Sequence, residues 1–181
     1  MTGHFLAVPL VFIGMVLIIN AAWLQGKVDT RDVGVFNVLV GILGAMGSFY
    51  FGWAQSDFPL SAGVMLFAMT YLWVGINAIR GATDQRALGM YCLLVAGVTI
   101  PYAIKAFKGG DLGWAFEWVS YGLLWFMFYQ LLAKANSGLT GATAALTYFV
   151  GFEVLITGWL YIYGYWPFGN WWPLQHVASI G

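Results

Sequence analysis

Six apolar runs of about 20 residues each limit the folds open to this chain more than any other feature. They cover residues 4–24, 34–54, 60–80, 88–107, 112–133 and 140–163. A helix of this length spans about 30 Å, the thickness of the hydrocarbon core of a bilayer. Inside lipid the backbone polar groups must pair within their own segment, and the runs lack the alternation of barrel strands. The sequence therefore predicts an all-α, polytopic membrane protein with six transmembrane helices.

The amino-acid composition agrees with a membrane setting and argues against other classes of protein. Hydrophobic residues make up 61% of the chain and charged residues 8%, whereas soluble domains carry about 25% charged residues. The connectors are short, so we expect one integral membrane domain over residues 1–181. The basic residues are scattered and the net charge is zero, which argues against nucleic-acid binding. The single cysteine, Cys92, lies within an apolar run, so no disulfide framework is expected.

The basic residues between the runs predict the orientation in the membrane. The first, third and fifth connectors and their edges carry Lys27, Arg31, Arg80, Arg86 and Lys134. The opposite side carries Lys105 and Lys108. Because basic residues accumulate on the cytoplasmic side, we expect both termini to face outward. The tail GYWPFGNWWPLQH, residues 164–176, is then expected to lie at the outer interface as an aromatic belt.

One face of the fifth run is rich in aromatic side chains. At about 100° per residue, the narrow stripe consists of Trp114, Trp118, Tyr121 and Trp125. Packing within a helix bundle is the commoner reason for such a stripe, and the wall of a path for a small neutral solute is the other. An acid in the next run, Glu153, favours the second interpretation, because an ionisable group in hydrocarbon costs a few kcal/mol.

Three polar side chains near this stripe carry specific expectations. Glu153 lies about 13 residues into its run and therefore near the middle of the membrane. Thr157 lies one turn further out on the same face, so the two side chains are expected to offer successive hydrogen-bonding stations to a solute. Glu117 lies nearer the outer end of its run, where we expect its carboxylate to reach headgroups or water.

The first and third runs supply further candidates for the wall of a pore. On the first run the shared face consists of Leu10, Ile13, Leu17 and Asn20. On the third run the stripe consists of Met69, Trp73, Ile76 and Arg80, with Asn77 beside it. Asn20, Asn37 and Asn77 lie at a similar depth near the cytoplasmic boundary. They form either a polar inner mouth or caps and interhelical hydrogen bonds, and the sequence leaves both open.

Small residues and a weak repeat bear on how the helices pack. Gly44, Ser48 and Gly52 form a row of small residues in the second run, which lets a neighbouring helix come close. The segments IINAAWL, from Ile18, and GINAIRG, from Gly75, both place Ile-Asn-Ala at the inner end of an odd-numbered run. This repetition suggests helical hairpins arranged around a central axis.

Residues that carry catalytic or cofactor chemistry do not occur in any familiar pattern. His4 and His176 lie near opposite ends of the chain, and no metal-binding, nucleophile or phosphate-loop motif is present. We therefore expect neither enzyme activity nor a cofactor or metal. Because an active transporter usually shows broken helices and several buried charges, passive permeation is favoured over coupled transport.

Several segments resemble the bacterial urea and short-chain amide channels, the AmiS/UreI family. The matching motifs are GMVLIINAA, KVD and FNVLVG over residues 14–41, LFAMTYLWVGIN over 66–77, EWVSYGLLW over 117–125 and GFEVLITGW over 151–159. They touch five of the six runs and occur in the family's order. The resemblance implies a six-helix protomer with its own pore, assembled into a homo-hexameric ring in the bacterial cytoplasmic membrane with lipid at its centre. It also implies that the pore is lined by Ile13, Leu17, Asn20, Met69, Trp73, Trp114, Trp118, Tyr121, Trp125 and Glu153.

The chain departs from the acid-activated members of that family. Met69 and Trp73 stand where those members look like Phe and Tyr, and Tyr121 stands where they carry Trp. Those members also have a long, histidine-bearing outer loop after the second span, whereas the connector here is QSDFP, residues 55–59. The resemblance is therefore to the branch that is not gated by acid.

Three functions compete at this point. The first is passive passage of urea or short aliphatic amides, functionally linked to a cytoplasmic urease or amidase. The second is proton-coupled amide transport that uses Glu153. The third is a structural or sensory membrane subunit, which would conduct nothing. The sequence does not distinguish urea from acetamide.

Overall fold

Six long helices follow one another along the chain, which confirms the all-helical prediction. The computed structural model describes residues 2–168, with side chains from Phe5 onward. The helices are α1 Thr2–Leu24, α2 Thr30–Phe49, α3 Phe58–Arg80, α4 Arg86–Lys108, α5 Leu112–Leu132 and α6 Thr140–Ile162. A π-helical turn, Tyr50–Ala54, continues α2, and a 3₁₀ turn, Ser137–Leu139, precedes α6.

Aspartates determine where several of these helices begin. The Asp29 carboxylate accepts hydrogen bonds from the backbone N–H groups of Arg31 and Asp32, at 2.8 and 3.1 Å. Asp57 and Asp111 cap α3 and α5 in the same way. A capping carboxylate satisfies backbone donors that would otherwise lack a partner in the first turn. The cap at Asp29 explains why α2 starts four residues before the apolar run that predicted it.

Five of the six helices in the described region are long and apolar enough to cross a membrane. The exception is α5, whose sequence LGWAFEWVSYGLLWFMFYQLL contains Trp, Tyr, Ser and Glu side chains. These side chains lower the hydropathy of the helix although its 21 residues span about 31 Å. A helix that is long enough but partly polar is expected where one face meets an aqueous path and not lipid.

The helices pack as three close pairs: α1 with α6, α2 with α3, and α4 with α5. The contacts from α1 to α2, α5 to α6 and α3 to α4 are looser, and together with the pairs they close a ring around a central axis. We call the end of the bundle where α1, α3 and α5 terminate the inner end, after the orientation predicted from the basic residues. The arrangement around an axis agrees with the suggestion from the Ile-Asn-Ala repeat.

Glycines allow the close approach within each pair. A Cβ atom at Gly75 would lie 2.6 Å from the Gly34 carbonyl oxygen, and one at Gly14 would lie 2.6 Å from the Leu155 nitrogen. In the third pair, a Cβ at Gly89 would lie 2.6 Å from the Ala133 nitrogen. Real Cβ atoms are not found at such distances from backbone atoms, so each position requires glycine.

The row of small residues in α2 and in the π-helical turn that continues it packs against α3, which confirms its predicted role. The Ser48 hydroxyl donates to the Ser61 carbonyl oxygen at 2.7 Å. A Cβ at Gly44 would lie 3.2 Å from the Ala68 side chain, and one at Gly52 would lie 2.9 Å from the Ser61 hydroxyl oxygen. Close backbone approach and a hydrogen bond within the same row hold α2 and α3 together.

Two of the three asparagines form a hydrogen-bonded pair between helices. The Asn20 amide nitrogen donates to Asn37 at 3.0 Å, and the Asn37 amide nitrogen donates back to Asn20 at 2.7 Å. This pair joins α1 to α2 and is buried. Asn77 takes no part and accepts a longer bond of 3.4 Å from Arg80. Asn20 and Asn37 therefore act as an interhelical link.

The aromatic tail begins by folding over the outer end of α5. The Trp166 indole donates to the two Asp111 carboxylate oxygens at 3.1 and 3.0 Å. Its ring centroid lies 5.9 Å from that of Trp114 and 5.2 Å from that of Tyr161. The rest of the predicted aromatic belt, residues 169–176 with His176, lies outside the described residues, as does the side chain of His4.

Candidate pore

A cavity lies between the helices toward each end of α5. The inner cavity has a volume of about 260 Å³, and its wall includes Leu17, Asn20, Phe67, Thr70, Tyr71, Val74, Tyr121, Trp125 and Val150. The outer cavity has a volume of about 300 Å³ and is lined by Leu6, Asp57, Pro59, Leu60, Tyr102, Lys105, Trp114, Trp118 and Tyr161. The inner wall is almost entirely apolar, whereas Asp57 and Lys105 bring charge to the outer one.

Aromatic side chains stand between the two cavities. Trp118 borders the outer cavity, and Tyr121, one turn along α5, borders the inner cavity. Phe67 of α3 lines the inner cavity, and its ring centroid lies 6.4 Å from that of Trp118 and 4.9 Å from that of Tyr121. Trp125 adds a fourth ring, 4.6 Å from Phe67. We call Phe67, Trp118, Tyr121 and Trp125 the aromatic cluster.

Hydrogen bonds and ring stacking hold the indole side chains of α5 in place. The Trp125 indole donates to the Thr70 hydroxyl at 3.2 Å, and Thr70 donates in turn to the Leu66 carbonyl oxygen at 2.7 Å. The Trp114 indole donates to the Tyr161 hydroxyl at 2.7 Å. A buried indole N–H without an acceptor costs free energy, so these partners determine the direction of each ring.

Trp118 is held by ring stacking. The Tyr102 ring lies nearly parallel to it, with centroids 4.3 Å apart and planes 26° apart. The Tyr102 hydroxyl donates to the Pro59 carbonyl oxygen at 2.7 Å, which fixes that ring against the start of α3. Trp118 is therefore held between rings from α3, α4 and α5.

Glu117 lies inside the bundle, and the expectation that it reaches headgroups or water is wrong. Only 2% of its surface is exposed. The Tyr121 hydroxyl donates to one carboxylate oxygen and the Thr157 hydroxyl to the other. Distance along a helix indicates the depth of a residue but not its direction, and position 117 points toward α6.

Glu153 is half-buried at the same interface between α5 and α6. The Ser120 hydroxyl donates to one of its carboxylate oxygens at 3.4 Å. The other oxygen is buried and has no hydrogen-bond partner within the described part of the chain. A buried polar atom left unpaired costs about 1–3 kcal/mol, so this oxygen has an open position for a donor. Thr157 was expected to act beside Glu153, but its hydroxyl donates to Glu117 instead. The two side chains therefore do not form the expected pair of hydrogen-bonding stations.

The predicted pore residues fall into three groups in the structure. Those on the wall of a cavity are Leu17, Asn20, Trp114, Trp118, Tyr121 and Trp125. Those buried in the bundle but outside both walls are Leu10, Ile13, Asn77 and Thr157. Within the described residues, Met69, Trp73 and Glu153 also line neither cavity.

Met69 and Trp73 were predicted to line the pore, and they lie outside both cavity walls because of the rotation of α3 about its own axis. Met69 is 45% exposed, and Trp73 packs against Tyr91 with ring centroids 5.9 Å apart. The residues of α3 that reach the inner cavity are Phe67, Thr70, Tyr71 and Val74. At 100° per residue this face lies about 140° round the helix from the predicted stripe.

The small residues of α3 indicate this rotation, but the sequence analysis relied instead on the stripe that contains Met69 and Trp73. Ala68, Gly75 and Ala78 lie on one side of the helix and contact α2. Small residues are typical of the side of a helix that packs against a neighbour, and Met69 lies away from that side. Tyr102 and Glu117 were missed for another reason, since a single aromatic or acidic residue has no period to reveal its direction.

Comparison with known proteins agrees with this architecture. The family model described as AmiS/UreI family transporter matches residues 5–165. The chain belongs to the AmiS/UreI family. It is therefore a multi-pass membrane protein of a family of channels and transporters, and the relatives are not enzymes.

Relatives in the family carry names that refer to amides or to urea. A putative amidate substrates transporter protein of Mycolicibacterium smegmatis is 29% identical over 180 residues, 96% of this chain and 84% of that protein. A putative transporter protein, AmiS2, of Rhodococcus erythropolis is 30% identical over 76% of this chain and 68% of that protein. The acid-activated urea channel of Helicobacter pylori is 27% identical over 86% of this chain and 94% of that protein.

Solved structures with the same fold include two of the Helicobacter pylori urea channel. The crystal structure superposes with a TM-score of 0.78 at 28% identity and covers 92% of this chain and 100% of that chain. A cryo-electron microscopy structure of its closed state also gives a TM-score of 0.78, at 27% identity over 89% of this chain. The six-helix bundle is thus that of a membrane channel.

Proposed function

We propose that the protein is a passive channel for urea or short-chain aliphatic amides. The observation that carries this proposal is the aromatic cluster, which stands between two cavities within one ring of helices. Trp118 reaches the outer cavity and Tyr121 the inner one, so a solute moving along α5 passes from one to the other beside these rings. The family and the names of the relatives support the same solute class.

The chemistry of the walls suits a small, planar, uncharged solute. An amide can slide between aromatic faces, whereas an ion would have to give up its hydration shell in an apolar site. Hydrogen-bonding groups occur on either side of the cluster: Asn20 and Thr70 on the inner wall and Tyr161 on the outer wall. Such groups let the solute exchange partners as it leaves water and returns to it.

Purified protein in liposomes tests this proposal directly. Under an inward gradient of urea or acetamide, we expect vesicles with the protein to swell faster than empty vesicles. Because passage is passive, uptake of labelled solute should stop when the inside and outside concentrations are equal. Lack of flux for urea and for every short amide would contradict the proposal and favour a structural or sensory subunit.

Proton-coupled amide transport is the second candidate, and the unpaired oxygen of Glu153 favours it. A half-buried carboxyl group with one unpaired oxygen is a place where a proton can bind. Uptake of amide against its concentration gradient, driven by an imposed proton gradient and lost in Glu153→Gln, would identify this mechanism. Uptake that only equilibrates would exclude it.

The assembly and the cellular setting are also proposals. We infer a homo-hexamer in the bacterial cytoplasmic membrane, with both termini outward and one pore in each protomer. The broad apolar surface of α2, which exposes Leu39, Met46 and Phe49, supports contact with lipid or with another protomer. A cytoplasmic urease or amidase is the expected functional partner, because either enzyme consumes the solute that enters.

The channel is expected to stay open at neutral pH. Histidine is the side chain whose unperturbed pKa lies between pH 5 and 8, and the chain has only His4 and His176. The outer connectors, residues 55–57 and 109–111, contain none. We therefore expect urea flux into proteoliposomes to change by less than about threefold from pH 8 to pH 5. A rise of about tenfold or more on acidification would contradict the assignment to the branch that is not gated by acid.

A further inference from the structure

Tyr121 is the central ring of the aromatic cluster. Its centroid lies 4.9 Å from Phe67, 5.6 Å from Trp118 and 6.4 Å from Trp125, each in an edge-to-face arrangement. Only 2% of its surface is exposed, and it is the member of the cluster next to the outer-cavity residue Trp118. The orientation of this ring therefore affects the space between the two cavities.

Glu117 holds the hydroxyl end of that ring. The Tyr121 hydroxyl donates to one Glu117 oxygen across a single turn of α5. The Thr157 hydroxyl of α6 donates to the other oxygen, so the carboxyl group is itself fixed at two points. All three side chains are buried. A carboxyl group so placed limits rotation of the ring, because Tyr121 would lose its acceptor in an apolar region if it turned.

We propose that Glu117 is a positioning residue: it fixes the orientation of the Tyr121 ring between the two cavities and thereby sets the largest amide that passes. The inference rests on the proposed channel function and assigns size selection to a specific contact. Glu117 lines neither cavity within the described residues, so it acts through Tyr121. The competing explanation is that Glu117 only links α5 to α6 through Thr157.

The ratio of propionamide to urea permeability in proteoliposomes distinguishes these explanations. In Glu117→Gln the amide oxygen and NH₂ group can still pair with both hydroxyl groups, so the ratio should stay within about twofold of wild type. In Glu117→Leu the Tyr121 hydroxyl loses its acceptor, and the ratio should rise by about fivefold or more as the ring turns. Tyr121→Phe keeps the ring but removes the bond, and the ratio should move in the same direction.

The double variant Glu117→Leu/Tyr121→Phe provides the coupling measurement. If the two residues act through one bond, the permeability ratio of the double variant should match that of Tyr121→Phe alone. If they act independently, the changes in the ratio caused by the two single substitutions should multiply. The matched control is Leu123→Ala, a truncation on the same helix at a side chain that is 52% exposed, and it should keep the wild-type ratio. Should Glu117→Leu fail to insert, Tyr121→Phe decides instead, because it removes the same hydrogen bond between Tyr121 and Glu117.

The outcomes separate the inference from the function on which it rests. Wild-type permeability ratios in Glu117→Leu and Tyr121→Phe, at wild-type levels of flux, would overturn the inference and leave the channel function in place. Multiplying effects in the double variant would also overturn it. If wild-type vesicles pass neither urea nor any amide, the channel function fails and the inference fails with it.

Discussion

Replacing Trp118 with alanine is expected to join the two cavities and to admit amides larger than acetamide. The indole lies between Tyr102, stacked at 4.3 Å, and Phe67 at 6.4 Å, and it is 9% exposed. Its loss removes the ring at the boundary, and the bundle cannot close the gap fully because interiors relax only in part. We expect the permeability of butyramide relative to urea to rise by about tenfold or more in proteoliposomes.

A matched tryptophan provides the control for this experiment. Trp53 lies in the π-helical turn after α2, and 92% of its surface is exposed. Trp53→Ala should leave the permeability ratio unchanged. Because Trp118→Ala costs about 3–5 kcal/mol in folding stability, fluxes must be compared at equal amounts of inserted protein. Equal ratios in wild type, Trp118→Ala and Trp53→Ala would show that the aromatic cluster is packing alone.

Replacing Gly75 with alanine is expected to damage the fold itself. A Cβ at this position would lie 2.6 Å from the Gly34 carbonyl oxygen and 2.8 Å from the Val38 nitrogen. Both atoms belong to the backbone of α2, so α2 and α3 would have to move apart along their packed length. We expect a loss of about 3 kcal/mol, and for a chain of this size a fall in the unfolding midpoint of roughly 6–12 °C.

Gly97 is the matched control for that substitution. It lies inside α4, where an added Cβ would meet nothing within 4 Å. Gly97→Ala should leave stability unchanged or raise it by up to about 1 kcal/mol, because alanine restricts the unfolded chain. Thermal unfolding of both variants in detergent, followed by circular dichroism, measures the difference. If the Gly75 and Gly97 variants unfold at the same temperature, the close packing of α2 on α3 is not what stabilises the bundle.

Features that depend on one segment at a time were predictable from the sequence. The length of the apolar runs determined the number of helices, because each run must satisfy its own backbone in lipid. The spacing in α5 placed Trp114, Trp118, Tyr121 and Trp125 on one face, and the row from Gly44 to Gly52 marked a packing surface of α2. Each conclusion uses only helix geometry and the chemistry of adjacent turns.

The direction in which each helix faces was decided by the tertiary structure. In a soluble protein the polar side of a helix faces water, so the apolar side is the buried one. In a membrane both the lipid and the protein interior are apolar, so the sequence of α3 does not show which of its sides faces the protein. Contact between the backbones of α2 and α3 at Gly75 sets the rotation, turning Met69 outward and Phe67 toward the inner cavity. The partner of Glu117 on α6 was likewise undetermined, since Thr157 lies 40 residues away and meets it only when α6 closes the ring.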